Sequence, residues 1–135
     1  MSVKFNRGEV NSPFLFKVNT MFDFEKLDLY TELKQLNLVV YQTIKDLKEV
    51  DPYVIEQWKR ASLSSVLNLA EGTGRMTPTE KMQFYTSARG NVFECVAILD
   101  MVHRLGHIDE ALFDVFYAGY EKVSKMLLGM YRSQQ

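Results

Sequence analysis

Residues 64–80 read Ser-Ser-Val-Leu-Asn-Leu-Ala-Glu-Gly-Thr-Gly-Arg-Met-Thr-Pro-Thr-Glu. An apolar helical pattern runs into Gly72, the chain turns through Gly72, Thr73 and Gly74, and Thr77-Pro78-Thr79-Glu80 opens a new helix. Glycine is the usual residue just past a helix C-terminus, because it reaches the left-handed conformation without steric cost. Thr77 followed three residues later by Glu80 forms a capping box, and Pro78 falls at the first helical position, where its missing N–H costs nothing. The stretch predicts a hairpin of two helices.

Upstream of the hairpin, Asp51 and Pro52 supply an N-cap and a first helical residue, so a helix is expected over 52–71. Ile55, Trp58, Ser62, Ser65 and Leu69 form its inward stripe, with Ala61 and Asn68 beside them. The centre of that stripe is small (Ala61, Ser62, Ser64, Ser65), which lets a neighbouring helix approach closely. Serine hydroxyls there can bond carbonyls of the preceding turn. Before it, Leu29, Leu33, Leu36, Val40, Ile44 and Leu47 recur at spacings of three and four and predict a helix over 27–47. Tyr30, Leu38, Val39 and Tyr41 lie off that stripe, so this helix has more than one apolar side to cover.

Downstream, Phe84, Ala88, Asn91/Val92, Cys95, Leu99 and Val102 predict a long helix over 78–105. Gly90 sits in its middle at a cost of about 1 kcal/mol against Ala, which predicts close approach of a partner helix or a bulky ring. Gly106 breaks the pattern, Asp109 caps the next helix, and Leu112, Val115/Phe116, Tyr120, Val123, Leu127 and Met130 carry it over 109–133. Four helices joined by short loops imply an all-α, antiparallel up-and-down four-helix bundle spanning 25–135. Residues 1–24 form an irregular arm rich in aromatics (Phe5, Phe14, Phe16, Phe22, Phe24), expected to pack on its own domain or on a neighbouring subunit.

The chain of 135 residues holds 16 basic and 17 acidic side chains, a formal net charge of −1. That balance argues against nucleic-acid binding by bulk charge, leaves room for a local patch, and permits self-association. The single cysteine, Cys95, excludes an intrachain disulfide framework. There is no secretory signal and no apolar run of membrane-spanning length, so a cytoplasmic location and no membrane partner are expected.

Four polar residues stand out. Asn68 lies one turn before Glu71, Arg75 follows the turn, and Glu94 faces the second helix if Gly90 does. These four are expected to form a hydrogen-bonded network that holds the hairpin. Lys59, Arg60, Arg75, Lys81 and Arg89 are the candidate nucleic-acid contacts, although Glu56, Glu71, Glu80 and Asp100 are interspersed. Gly72-Thr73-Gly74-Arg75 lacks the spacing and the preceding strand of a phosphate-binding loop. His103 and His107 are four apart, but Gly106 breaks the helix between them, so no metal site is expected. Cys95 lies on the core stripe and reads as a buried, small hydrophobe. No nucleophile–base, metal or phosphate constellation has its proper spacing, so neither catalytic residues, a cofactor nor a small-molecule substrate is expected.

The run Ser65-Val66-Leu67-Asn68-Leu69-Ala70-Glu71-Gly72-Thr73-Gly74-Arg75, with Glu80 and then Phe84-Tyr85-Thr86-Ser87-Ala88-Arg89-Gly90-Asn91-Val92-Phe93-Glu94, resembles the bacterial 23S rRNA intervening-sequence protein family. Its shared core reads approximately S-x-P-x-N-I-A-E-G-x-G-R, followed by F-x-x-x-A-x-G-S-x-x-E. The likeness extends from about Leu29 to about Leu128. Val66 and Leu67 stand where the family has a proline and a small residue, so the kink that the resemblance implies for the second helix is not expected here; separately, Asn91 replaces a serine. The resemblance implies a four-helix bundle of no established enzymatic activity that assembles as a ring-like homo-oligomer, commonly a pentamer. The family is also similar to accessory proteins of diversity-generating retroelements, whose pentamers bind nucleic acid and a reverse transcriptase through a basic surface. The expected function is therefore a non-enzymatic, homo-oligomeric scaffold or adaptor. The alternative is binding of structured RNA or DNA through a surface that the oligomer forms.

Overall fold

The computed structural model describes residues 22–135. The predicted arm falls mostly on residues 1–21, outside the described residues. Its last part is a short 3-10 turn, Asp23–Lys26, where the Phe22 and Phe24 rings stack at 5.9 Å and Phe24 lies 4.8 Å from Tyr30. Helix α1 then spans Asp28–Ile44, α2 Pro52–Thr73, α3 Pro78–Arg104 and α4 Glu110–Ser133. There is no strand among the described residues. Helix α1 packs on α2 and α4, α2 on α3, and α3 on α4, so the helices close a four-membered bundle in chain order.

The helix ends follow side-chain chemistry. Asp51 accepts from the Tyr53 N–H (2.8 Å) and Asp109 from the Leu112 N–H (2.8 Å), each satisfying a donor that the first turn leaves open. Thr77 accepts from the Glu80 N–H (3.2 Å), the Thr77 half of the expected box. At the end of α3, Gly106 adopts φ +82°, Gly106 N–H donates to the His103 carbonyl (2.9 Å) and His107 N–H to the Val102 carbonyl (3.1 Å). That paired arrangement is the Schellman motif, and it requires a residue free to turn left-handed.

The end of α2 departs from the sequence reading. The helix runs on to Thr73, and Gly74 keeps a right-handed φ of −87°. No left-handed glycine caps it. The Lys81 ammonium does so instead, donating to the Thr73 carbonyl (2.8 Å) and the Gly72 carbonyl (3.5 Å). A cation at this end also meets the negative pole of the helix dipole. Helix α1 likewise stops at Ile44, short of 47, yet Val50 in the following irregular segment is buried.

The core is assembled from one stripe per helix: Leu29, Leu33, Val40 and Ile44; Trp58, Ala61 and Leu69; Tyr85, Ala88, Val92, Cys95, Leu99 and Val102; and Phe116, Tyr120, Val123 and Leu127. Asn37 occupies the buried α1 position between Leu33 and Val40, where periodicity points to Leu36. Each fully buried large side chain of this kind contributes about 1.5–3 kcal/mol relative to leaving it exposed.

Candidate functional site

Four features carry chemistry or unpartnered surface: the α2–α3 hairpin, a buried polar cluster, the basic side chains, and a groove between α3 and α4.

At the hairpin, Gly72 is buried, and a Cβ there would lie 2.7 Å from Tyr85 Cε1 and 2.9 Å from Phe84 Cβ. The missing side chain lets the end of α2 press against the first turns of α3. Asn68 Nδ2 donates to Asn91 Oδ1 (2.8 Å), joining the two helices one turn further in. Arg75 folds back on the Glu71 carboxylate and lies 4.6 Å over the Phe84 ring. Thr73 Oγ1 bonds the Ala70 carbonyl at 2.7 Å. Together with Lys81 on the α2 carbonyls, these contacts account for nearly every polar side chain of the Asn68–Arg75 run.

Asn68, Glu71, Arg75 and Glu94 do not meet as one network. Asn68 pairs with Asn91, Glu71 with Arg75, and Glu94 with Arg60 at 3.7 Å, in three separate contacts. The reason is angular. Asn68 points along the α2–α3 seam, whereas Glu71 and Glu94 lie on exposed positions of their helices. Gly90 is exposed, and a Cβ there would meet no atom within 4 Å, so no packing contact among the described residues explains it.

The buried polar cluster lies deeper, and the sequence anticipates only its serine hydroxyl bonded to the preceding turn, Ser65 Oγ to the Ser62 carbonyl. Trp58 Nε1 donates to Tyr120 Oη (3.0 Å), and Ser62 Oγ sits 3.6 Å from Cys95 Sγ. The Ser62 carbonyl accepts from Asn37 Nδ2 and from Ser65 Oγ (2.7 Å). Burial pushes the Cys95 thiol up to about 11 and holds the Tyr120 phenol well above its usual range. Both groups are therefore neutral and inert at physiological pH, as a thiol without an activating cation should be. The signal available in the sequence is that a buried Trp or Tyr needs a polar partner. Trp58 and Tyr120 both fall on core stripes, but which of them meet depends on the register between α2 and α4.

Each of the five basic candidates is engaged. Lys59 pairs with Glu56 at 3.8 Å, Arg60 with Glu94, and Arg75 with Glu71, while Lys81 caps α2. Arg89 donates to the Ser124 carbonyl (3.3 Å) and lies 4.7 Å over the Phe93 ring. They do not converge on one patch: Lys59 and Arg60 lie in the N-terminal half of α2, Arg75 and Lys81 at its other end, and Arg89 on the seam with α4. His103 makes a 2.9 Å contact with Glu110 Oε2 and stacks on Phe113 at 4.3 Å. Among the described residues no group of three or more His, Cys, Asp or Glu side chains could hold a metal ion, and no helix is long and apolar enough to cross a membrane.

The groove between α3 and α4 is an apolar recess of about 470 Å³. Phe93, Val96, Ala97, Phe113 and Tyr117 form its walls, over Val92 and Tyr120, and Asp100 and Glu121 stand at its rim. Phe93 is 55% and Tyr117 47% exposed, unusual for aromatic rings that share one recess.

A search of curated proteins finds no match. Among solved structures, the chain is similar to a protein of unknown function from the S23 ribosomal protein family of Bacteroides thetaiotaomicron. The TM-score is 0.73 at 13% identity, over 76% of this chain and 97% of that one. At that identity the likeness speaks for the fold. The profile of the 23S rRNA-intervening sequence proteins matches residues 25–129, the whole bundle but the last turn of α4. The chain therefore belongs to the 23S rRNA-intervening sequence protein family.

Proposed function

We propose that the protein is a non-enzymatic scaffold or adaptor that works as a homo-oligomer, with a pentameric ring as the favoured form, in the cytoplasm. The observation that carries this reading is the α3–α4 groove, where Phe93 and Tyr117 stand half exposed beside Val96 and Phe113. A helix apolar on a second side gains stability by burying that side, and in a chain this small the cover is a second subunit. The near-zero net charge imposes little long-range repulsion between copies. Asn68, Glu71 and Arg75, the conspicuous polar residues of the hairpin, are occupied in contacts within and across it.

The test is mass in solution. Light scattering at micromolar concentration gives a multiple of the 15.7 kDa chain, and Phe93→Glu or Tyr117→Lys lowers it. A monomer whose mass is unaffected by either substitution contradicts the reading.

The second reading is binding of structured RNA or DNA, or of an enzyme that acts on it, across a surface repeated around the oligomer. Its support is the gain that symmetry gives a weak patch, together with the similarity to retroelement accessory proteins that the sequence resemblance implies for the family. Arg89, which lies over the Phe93 ring, is the basic residue such a surface would recruit first. The two readings separate by salt: nucleic-acid binding falls steeply as salt rises, whereas groove-mediated assembly does not.

A further inference from the structure

The outward stripe of α2 carries Glu56, Arg60, Leu63, Leu67 and Glu71, with Arg75 just past the helix end, and all six are exposed. Leu63 and Leu67, at the middle of this face and one turn apart, are 48% and 55% exposed. Read from the N-terminus, the row is acid, base, leucine, leucine, acid, base. Turned end for end, it is base, acid, leucine, leucine, base, acid. A second copy laid antiparallel thus sets every charge against its opposite, and one laid parallel sets every charge against its like.

The register also fits. With a two-fold axis at the level of Ser65, Leu63 lies opposite Leu67 of the partner subunit. At a rise of about 1.5 Å per residue, Arg60 then falls within about 1.5 Å of the level of Glu71 of the partner subunit, and Glu56 equally close to the level of Arg75 of the partner subunit. Long side chains absorb that offset. We infer that this face of α2 pairs with the same face of a second copy about a two-fold axis, with the leucines at its centre and the two charge pairs at its rim.

Such a contact is isologous: each residue meets its counterpart twice, and the interface closes after two chains. It lies on a different face from the α3–α4 groove and goes beyond the assembly proposed there. The present partners of these charges do not compete strongly. The Glu56–Lys59 (3.8 Å), Arg60–Glu94 (3.7 Å) and Glu71–Arg75 pairs are all exposed, and such pairs hold little free energy in water. A single helix-on-helix contact buries less than the roughly 1,200 Å² of a standard stable interface. The pairing is accordingly weak and sensitive to salt.

The test uses the full chain with charge swaps and cysteine pairs. Arg60→Glu or Glu71→Arg alone weakens self-association of α2 faces about tenfold at low salt, since each reversal turns two attractive pairs into repulsive ones. The double swap restores it. An equimolar mixture of tagged Leu63→Cys and untagged Leu67→Cys chains oxidises to a mixed disulfide dimer, and the native Cys95 is buried and does not interfere. Phe93→Glu leaves that disulfide yield unchanged, which separates this contact from the groove. The inference is overturned if Leu63→Cys cross-links to itself as readily as to Leu67→Cys, or if the double swap associates no better than either single reversal.

Discussion

Gly72 and Gly90 stand eighteen positions apart, and their environments are opposite. At Gly72 an added Cβ runs into Tyr85 and Phe84 at under 3 Å; at Gly90 it meets nothing within 4 Å. Gly72→Ala should therefore cost about 1–3 kcal/mol of overpacking, whereas Gly90→Ala should raise stability by about 0.5–1 kcal/mol through helix propensity. Urea unfolding of the two variants measures both. In the sequence each glycine is visibly unusual, but the reasons read from it are the wrong way round. Glycine is read first as a turn residue, and only the tertiary contact reveals that Gly72 is there for the approach of a ring.

The same scale governs pH. Cys95, displaced by burial from 9.0 to about 11, stays protonated in the folded chain where the unfolded chain has begun to ionise. Its contribution to stability is complete below pH 9 and is lost as pH rises toward 11, by at most about 3 kcal/mol. Tyr120, also raised by burial, adds a loss of the same sign at higher pH. Chemical denaturation between pH 8 and 11 should show this decline, and Cys95→Ala should remove the part that begins near pH 9. That Cys95 would be buried is plain from its place on the α3 stripe. The cluster around it is not, because Trp58 and Tyr120 are 62 residues apart and meet only once α2 and α4 are in register. Trp58→Phe, which keeps an aromatic ring but removes the donor, should cost about 1–2 kcal/mol.

At the scale of elements, the hairpin is held by contacts that run from one helix to the other. Lys81→Met keeps the length of the side chain but removes the donor to the Thr73 carbonyl, while the Gly72 carbonyl keeps the Arg75 N–H, and should cost about 1 kcal/mol. Asn68→Ala strands Asn91 and should cost a similar amount. Combining the two should give a loss near the sum, since they touch different ends of the seam. Helix positions are legible because capping residues announce themselves: Asp51, Thr77 and Asp109 each bond the first turn. The end of α1 is not, because Leu47 and Val50 continue to contribute apolar surface after the helix has unwound. Periodicity records which residues are covered, not whether the backbone between them is still helical.

For the whole molecule, the bundle buries one stripe per helix and leaves Phe93, Tyr117, Leu63 and Leu67 about half exposed. The surplus of apolar residues is countable in the sequence, but its distribution over two faces is not. Phe93 lies beside α4 and the leucines on the outside of α2, a division set by how the helices are rotated about their axes. On the proposed function these faces are covered by copies of the same chain. Light scattering coupled to gel filtration tests it most directly. At micromolar concentration a pentameric ring gives a mass near five times 15.7 kDa that falls on Phe93→Glu, whereas a clean 15.7 kDa species unchanged by that substitution rules out assembly through the groove.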